Sequence, residues 1–155
     1  MKTIMRKLLV LRPLPTFGIY VFLDIICIGM GMGVPFFCIL FGLPVGWYIV
    51  KRLTAEPAEM LTVFRKTLLY AAIAAAVTCL GMILIWGTLC VVTLSNPATD
   101  FVETGVPMIL YEPKASFIGW IVLMIIISPG LQLLTTLFAS HLTLLGWLNR
   151  ASQES

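Results

Sequence analysis

From Thr67 to Leu94 the chain carries no charge and no proline, and this stretch fixes the solvent in which the protein folds. A helix crosses a hydrocarbon core of about 30 Å with about 20 mostly apolar residues. The rest of the sequence repeats the message. Of 155 residues, 60% are hydrophobic and 11% charged, and the mean hydropathy is +1.05. A soluble domain is nearer a quarter charged. Disordered chains lack this much apolar surface, and four cysteines embedded in apolar runs do not make a disulfide scaffold. The reading is an all-α integral membrane protein, one helical domain over residues 1–155.

Phe17 to Val50 is apolar apart from Asp24. As one straight helix it would reach about 50 Å, too long for a single span. Gly29, Gly31, Gly33 and Pro35 supply a reversal, since glycine accepts φ > 0 and proline ends helical pairing. A short hairpin of two spans, 14–31 and 34–51, is therefore expected, with a re-entrant dip as its alternative. The third span is 67–94. The fourth, 116–148, is long enough to need a kink, expected at Ser128-Pro129-Gly130. Beyond that point Gln132, Thr135, Thr136, Ser140, His141 and Thr143 imply polar, protein-covered or interfacial surroundings.

Charge sets the orientation. Lys2, Arg6, Lys7, Arg12, Lys51, Arg52, Arg65, Lys66 and Arg150 fall on one side of a four-span topology, and only Lys114 lies in the opposite loop, 95–115. Basic residues collect on the cytoplasmic side of short loops, so both termini are expected to be cytoplasmic, in a bacterial or archaeal cell membrane. Residues 1–13 read as a basic interfacial lead-in rather than a cleaved signal peptide. Thr54–Glu59 is expected to cap a short interfacial helix leading into the third span. Trp47, Tyr48, Tyr70 and Trp147 fall at the inner interface, and Trp86 and Trp120 are expected at the outer one.

Asp24 is the sharpest chemical signal, the one charge predicted inside a span. Holding a carboxylate there costs at least a few kcal/mol, and no Lys or Arg lies in a predicted span to pair with it. It is a candidate proton or cation site, or else a carboxyl bonded to a Ser, Thr or Tyr of another span. Small residues at helix-packing spacing are Gly29–Gly33, Gly42–Gly46 and Ala71–Ala75, which let backbones approach closely. Cys27, Cys38, Cys79 and Cys90 form no CxxC or Cys/His cluster, so they read as packing residues with no metal. His141 stands alone, which argues against a two-His haem or a hydrolytic triad. Met30 and Met32 are read as lipid-facing rather than copper ligands.

No cofactor is expected. A net charge of +3 is explained by the inner loops, which leaves no basic surface for nucleic acid. The expected partners are the lipid bilayer and another membrane protein or a second copy of the chain. The reading is thus a non-catalytic membrane subunit or anchor. The alternative is a small homo-oligomeric proton-coupled transporter working through Asp24. Four spans with one acid in the first resemble the layout of small multidrug-type exporters, a likeness of architecture without a matching motif.

Overall fold

The computed structural model describes residues 13–30, 35–55 and 59–153. Four helices are long and apolar enough to cross a membrane. The first two are α1 (Pro13–Met30) and α2 (Phe36–Leu53), 18 residues each. The third span runs through α3 (Met60–Met82), a π-helical turn (Ile83–Gly87) and α4 (Thr88–Ser95). The fourth runs through α5 (Pro113–Val122), a second π-turn (Leu123–Ile127) and α6 (Ser128–Gln153). Among the described residues there is no strand. Gly31 and Gly33, the expected turn, lie outside the described residues, as does the lead-in up to Arg12.

Successive helices alternate in direction. The start of α1 meets the end of α2 through Thr16, Tyr48 and Arg52, where the Arg52 guanidinium donates to Thr16 Oγ1 (3.1 Å) and to the Tyr48 hydroxyl (2.9 Å). The end of α2, the start of α3 and the end of α6 pack together through Val50, Val63 and Leu144. Lys51, Arg52, Arg65 and Lys66 stand around this basic end. The opposite end holds a second apolar cluster of Ile28, Cys38, Met82, Phe117, Trp120, Ile121 and Met124. Between the two lies a polar layer. Along α3 the inward face shows the order directly: Val63, then Thr67, Ala71, Ala74 and Thr78, then Met82.

The tightest approach joins α2 to α6, and glycine makes it possible. A Cβ on Gly42 would collide with Thr135 Oγ1 and stand 2.6 Å from the Gln132 carbonyl oxygen. One on Gly46 would collide with the Thr136 carbonyl oxygen. In hydrocarbon there is little hydrophobic drive between helices, so close backbone packing and hydrogen bonds must hold them. Both are present. Thr135 Oγ1 donates to the Ile39 carbonyl (2.6 Å), in the turn ahead of Pro44, and Ser140 Oγ donates to the Gly46 carbonyl (3.1 Å).

The fourth stretch departs from regular helix just ahead of Ser128-Pro129-Gly130, as a π-turn over Leu123–Ile127, and α6 then runs on through Pro129 and Gly130. The π-turn closes at Ser128. Its amide donates to the Leu123 carbonyl, five residues back. Pro129 has no amide hydrogen for the carbonyl of Ile125, four residues before it. The Cys79 thiol of α3, 3.6 Å away, donates to that carbonyl instead. The third span holds a π-turn that nothing in its sequence predicted. Its entry also differs from expectation: Met60 to Lys66 forms the first turns of α3 itself, not a separate interfacial helix.

Candidate functional site

Asp24 lies on α1 with 2% of its surface exposed. Helical spacing puts Tyr20 one turn earlier on the same face. Opposite stands Thr78 of α3, and from α6 comes Gln132. Thr78 Oγ1 donates to one carboxyl oxygen of Asp24 at 2.8 Å, and Gln132 Nε2 donates to the other at 3.4 Å. The Tyr20 hydroxyl donates to the Ala74 carbonyl (2.8 Å) and lies 3.0 Å from Thr78 Oγ1. Three spans thus converge on one carboxyl. Phe41 of α2 completes the enclosure, stacked on the Tyr20 ring at 5.7 Å and 10°.

The arrangement follows from side-chain supply. A carboxyl held away from water needs donors, and a hydroxyl and an amide are the neutral ones available. The network is not fully closed. Gln132 Oε1 and Ser128 Oγ, one turn apart on α6, are buried without a hydrogen-bond partner among the described residues. Each of the two oxygens could accept a further hydrogen bond. What the cluster can do chemically is bind and orient a proton-bearing or cationic species, or clasp three helices together.

The other sequence candidates fall in several places. Gly42 and Gly46 are brought together with Thr135, Thr136 and Ser140, next to the Asp24 cluster through Gln132. Gly29 is different. It is exposed at the end of α1, and a Cβ there would meet nothing within 4 Å among the described residues. Among the described residues Gly29 therefore approaches no other helix, and Gly33 lies outside the described residues. Ala71 is fully buried while Ala75 is half-buried. The inward partners of Ala71 are Ala74 and Thr78, because one-turn steps of three and four residues alternate along a packed face.

Trp86 and Trp120 depart from the expected outer-interface position. Trp120 is 3% exposed, and its ring meets that of Trp86 edge-on at 4.9 Å and 89°. The pair is an internal contact between the third and fourth spans. Phe101 folds back from the connecting loop to lie 5.6 Å from Phe117, and Ser116 Oγ both accepts from the Leu110 amide and donates to its carbonyl. The loop is tied down locally.

All four cysteines are free, with Cys27 packed against the cluster that contains Cys38. Among the described residues no three His, Cys, Asp or Glu side chains converge as metal ligands. His141 is exposed and borders a cavity of about 210 Å³ with Thr67 and Ser140. Sequence reasoning found Asp24 but missed Tyr20, Thr78 and Gln132 as its surroundings. Gln132 carried a usable signal, as an uncharged amide deep in an apolar stretch. Thr78 and Tyr20 carried none. Compared with known families, curated proteins and solved structures, the chain matches no family model, no curated sequence and no solved structure.

Proposed function

We propose that this chain is a non-catalytic, multi-pass subunit or anchor of the cytoplasmic membrane, working by helix packing against a partner membrane protein. Both termini would then face the cytoplasm, with Lys51, Arg52, Arg65 and Lys66 on that side and the loop 95–115 outside. The observation that carries the proposal is the inequality of the spans. The third and fourth have 36 and 37 residues, twice the 18 of α1 and α2. The short hairpin accompanies them as far as the cluster of Ile28, Cys38, Met82 and Met124. Beyond it the long spans carry bare apolar faces, with Leu84 75%, Val91 65% and Val92 64% exposed. A partner helix seated there would complete the bundle. The burial of Asp24, 2% exposed, also suits a structural carboxyl, since an exchanging one must reach water.

A mild-detergent pull-down of the tagged chain, with native mass of the particle, tests this. A stoichiometric second membrane protein is expected. A monodisperse particle holding only this chain would sink the reading. For topology, Tyr111→Cys in a cysteine-free background is expected to react with an impermeant maleimide from outside; protection there would reverse the orientation.

A second reading has one observation in its favour. The unpartnered Ser128 Oγ and Gln132 Oε1 beside the Asp24 network suit a proton or monovalent cation, as in a small homo-oligomeric proton-coupled transporter. A homo-oligomer that acidifies liposomes on substrate addition, and loses this with Asp24→Asn, would support it. Unchanged coupling in Asp24→Asn would remove it.

A further inference from the structure

At the basic end, between α2 and α6, lies a cleft of about 270 Å³ lined by Trp47, Lys51, Leu142, Thr143, Gly146 and Trp147. Trp47 and Lys51 are four residues apart and so share one face of α2. Thr143 and Trp147 do the same on α6. Gly146 leaves the wall open, because a Cβ there would meet nothing within 4 Å. We propose that this cleft binds the phosphate of an anionic membrane lipid.

The donor set makes the argument. Lys51 is half-buried, and its ammonium makes no hydrogen bond or ion pair with any described residue. The Thr143 hydroxyl gives its hydrogen to the Ala139 carbonyl (2.7 Å). The two indoles contribute N–H groups, which can only donate. Among the described residues no carboxylate lines the cleft. A cleft whose described lining holds one unpaired cation and no acidic group takes an anion, and a charge-assisted bond to a phosphate would satisfy the ammonium.

Position selects which anion. The cleft sits where two apolar spans end, and tryptophans favour headgroup depth. Basic pockets between spanning helices at that depth suit lipid phosphates. A path for an acyl chain leads away from it: Leu134, Phe138, Leu142 and Leu145 follow one another along α6, each between 44% and 61% exposed. A free phosphate ion would use Lys51 but not that stripe. A zwitterionic lipid would use the stripe but would gain less from the ammonium, its own cation competing for the phosphate.

The test uses the full chain in mild detergent. Phosphatidylglycerol, phosphatidylcholine or inorganic phosphate is added, and lipid retention is read by native mass and stability by thermal unfolding. Phosphatidylglycerol is expected to be retained one to one and to raise the unfolding midpoint more than the other two. Lys51→Gln should weaken its retention by about tenfold, as loss of a charge-assisted bond does. Arg65→Gln, which removes an exposed charge at the same end, should leave retention unchanged. Gly146→Leu, which fills the cleft and keeps Lys51, should release the lipid and provides the check should Lys51→Gln fold poorly. Equal losses in Lys51→Gln and Arg65→Gln, or equal stabilisation by phosphatidylcholine, would overturn the proposal. Retention in Gly146→Leu would do the same, and so would inorganic phosphate as effective as the lipid.

Discussion

The hydroxyl of Thr78 stands 2.8 Å from a carboxyl oxygen of Asp24, linking the third span to the first across 54 residues of sequence. This bond turns a buried acid, 2% exposed, into a joint between helices. Thr78→Val keeps the shape and removes the donor. It is expected to destabilise the protein by about 1–3 kcal/mol, because one Asp24 oxygen is left buried and unpaired. Thr78→Ser should recover most of the loss. Thermal unfolding in detergent measures both, and a Val variant as stable as the parent would show that the bond contributes nothing.

The two glycine positions should separate cleanly. Gly46→Ala drives a Cβ into the Thr136 carbonyl, and overpacking of this kind costs about 1–3 kcal/mol. Gly29→Ala meets open space. It should be neutral or stabilising by up to about 1 kcal/mol, since alanine is the better helix residue. Equal effects at both positions would contradict the packing described for α2 and α6.

Cys79 and Pro129 should be energetically coupled. In the parent protein, Cys79→Ala removes the thiol that donates to the Ile125 carbonyl, at a cost of about 0.5–1.5 kcal/mol. In a Pro129→Ala background the helix regains its own amide donor for that carbonyl. The same cysteine change should then cost less. A double-mutant cycle reads the difference directly, and strict additivity would mean that the thiol does not compensate for the proline.

Trp120, at 3% exposure against Trp86, should escape quenching by brominated lipid acyl chains. In single-tryptophan variants Trp147, half-buried at the basic end, should be quenched more strongly. Trp120→Ala should lower stability by about 3–5 kcal/mol, as truncation of a buried aromatic does. Strong quenching of Trp120 would return it to the lipid interface that its place in the sequence suggests.

Much of this is legible residue by residue. Asp24 is conspicuous because one acid in an apolar run has few ways to be tolerated. The polar shift after Pro129 points to polar, protein-covered or interfacial surroundings, and the structure divides its residues: Gln132, Thr136 and Ser140 are 1%, 1% and 2% exposed, Thr135 and Thr143 are half-buried, and His141 is exposed. The tryptophans mislead because depth along a span is readable while direction around it is not. Trp86 and Trp120 lie near helix ends, yet each turns toward the other. Ala75 is only half-buried beside the fully buried Ala71 for a related reason. Spacing gives a stripe, but the neighbouring helix chooses which edge of that stripe it covers.

The sequence by itself determined the number of helices long and apolar enough to cross a membrane and the basic end, because the apolar character and charge of each segment are properties of that segment taken alone. Tertiary structure alone decided the partners. It set Thr78 and Gln132 on Asp24, gave the Ile125 carbonyl to Cys79, and brought Lys51 into one cleft with Trp147. Those contacts join residues tens of positions apart, and they depend on helix rotation and register. In a bilayer these are set by close packing and by polar groups that must find one another, and no single segment encodes both sides of such a contact.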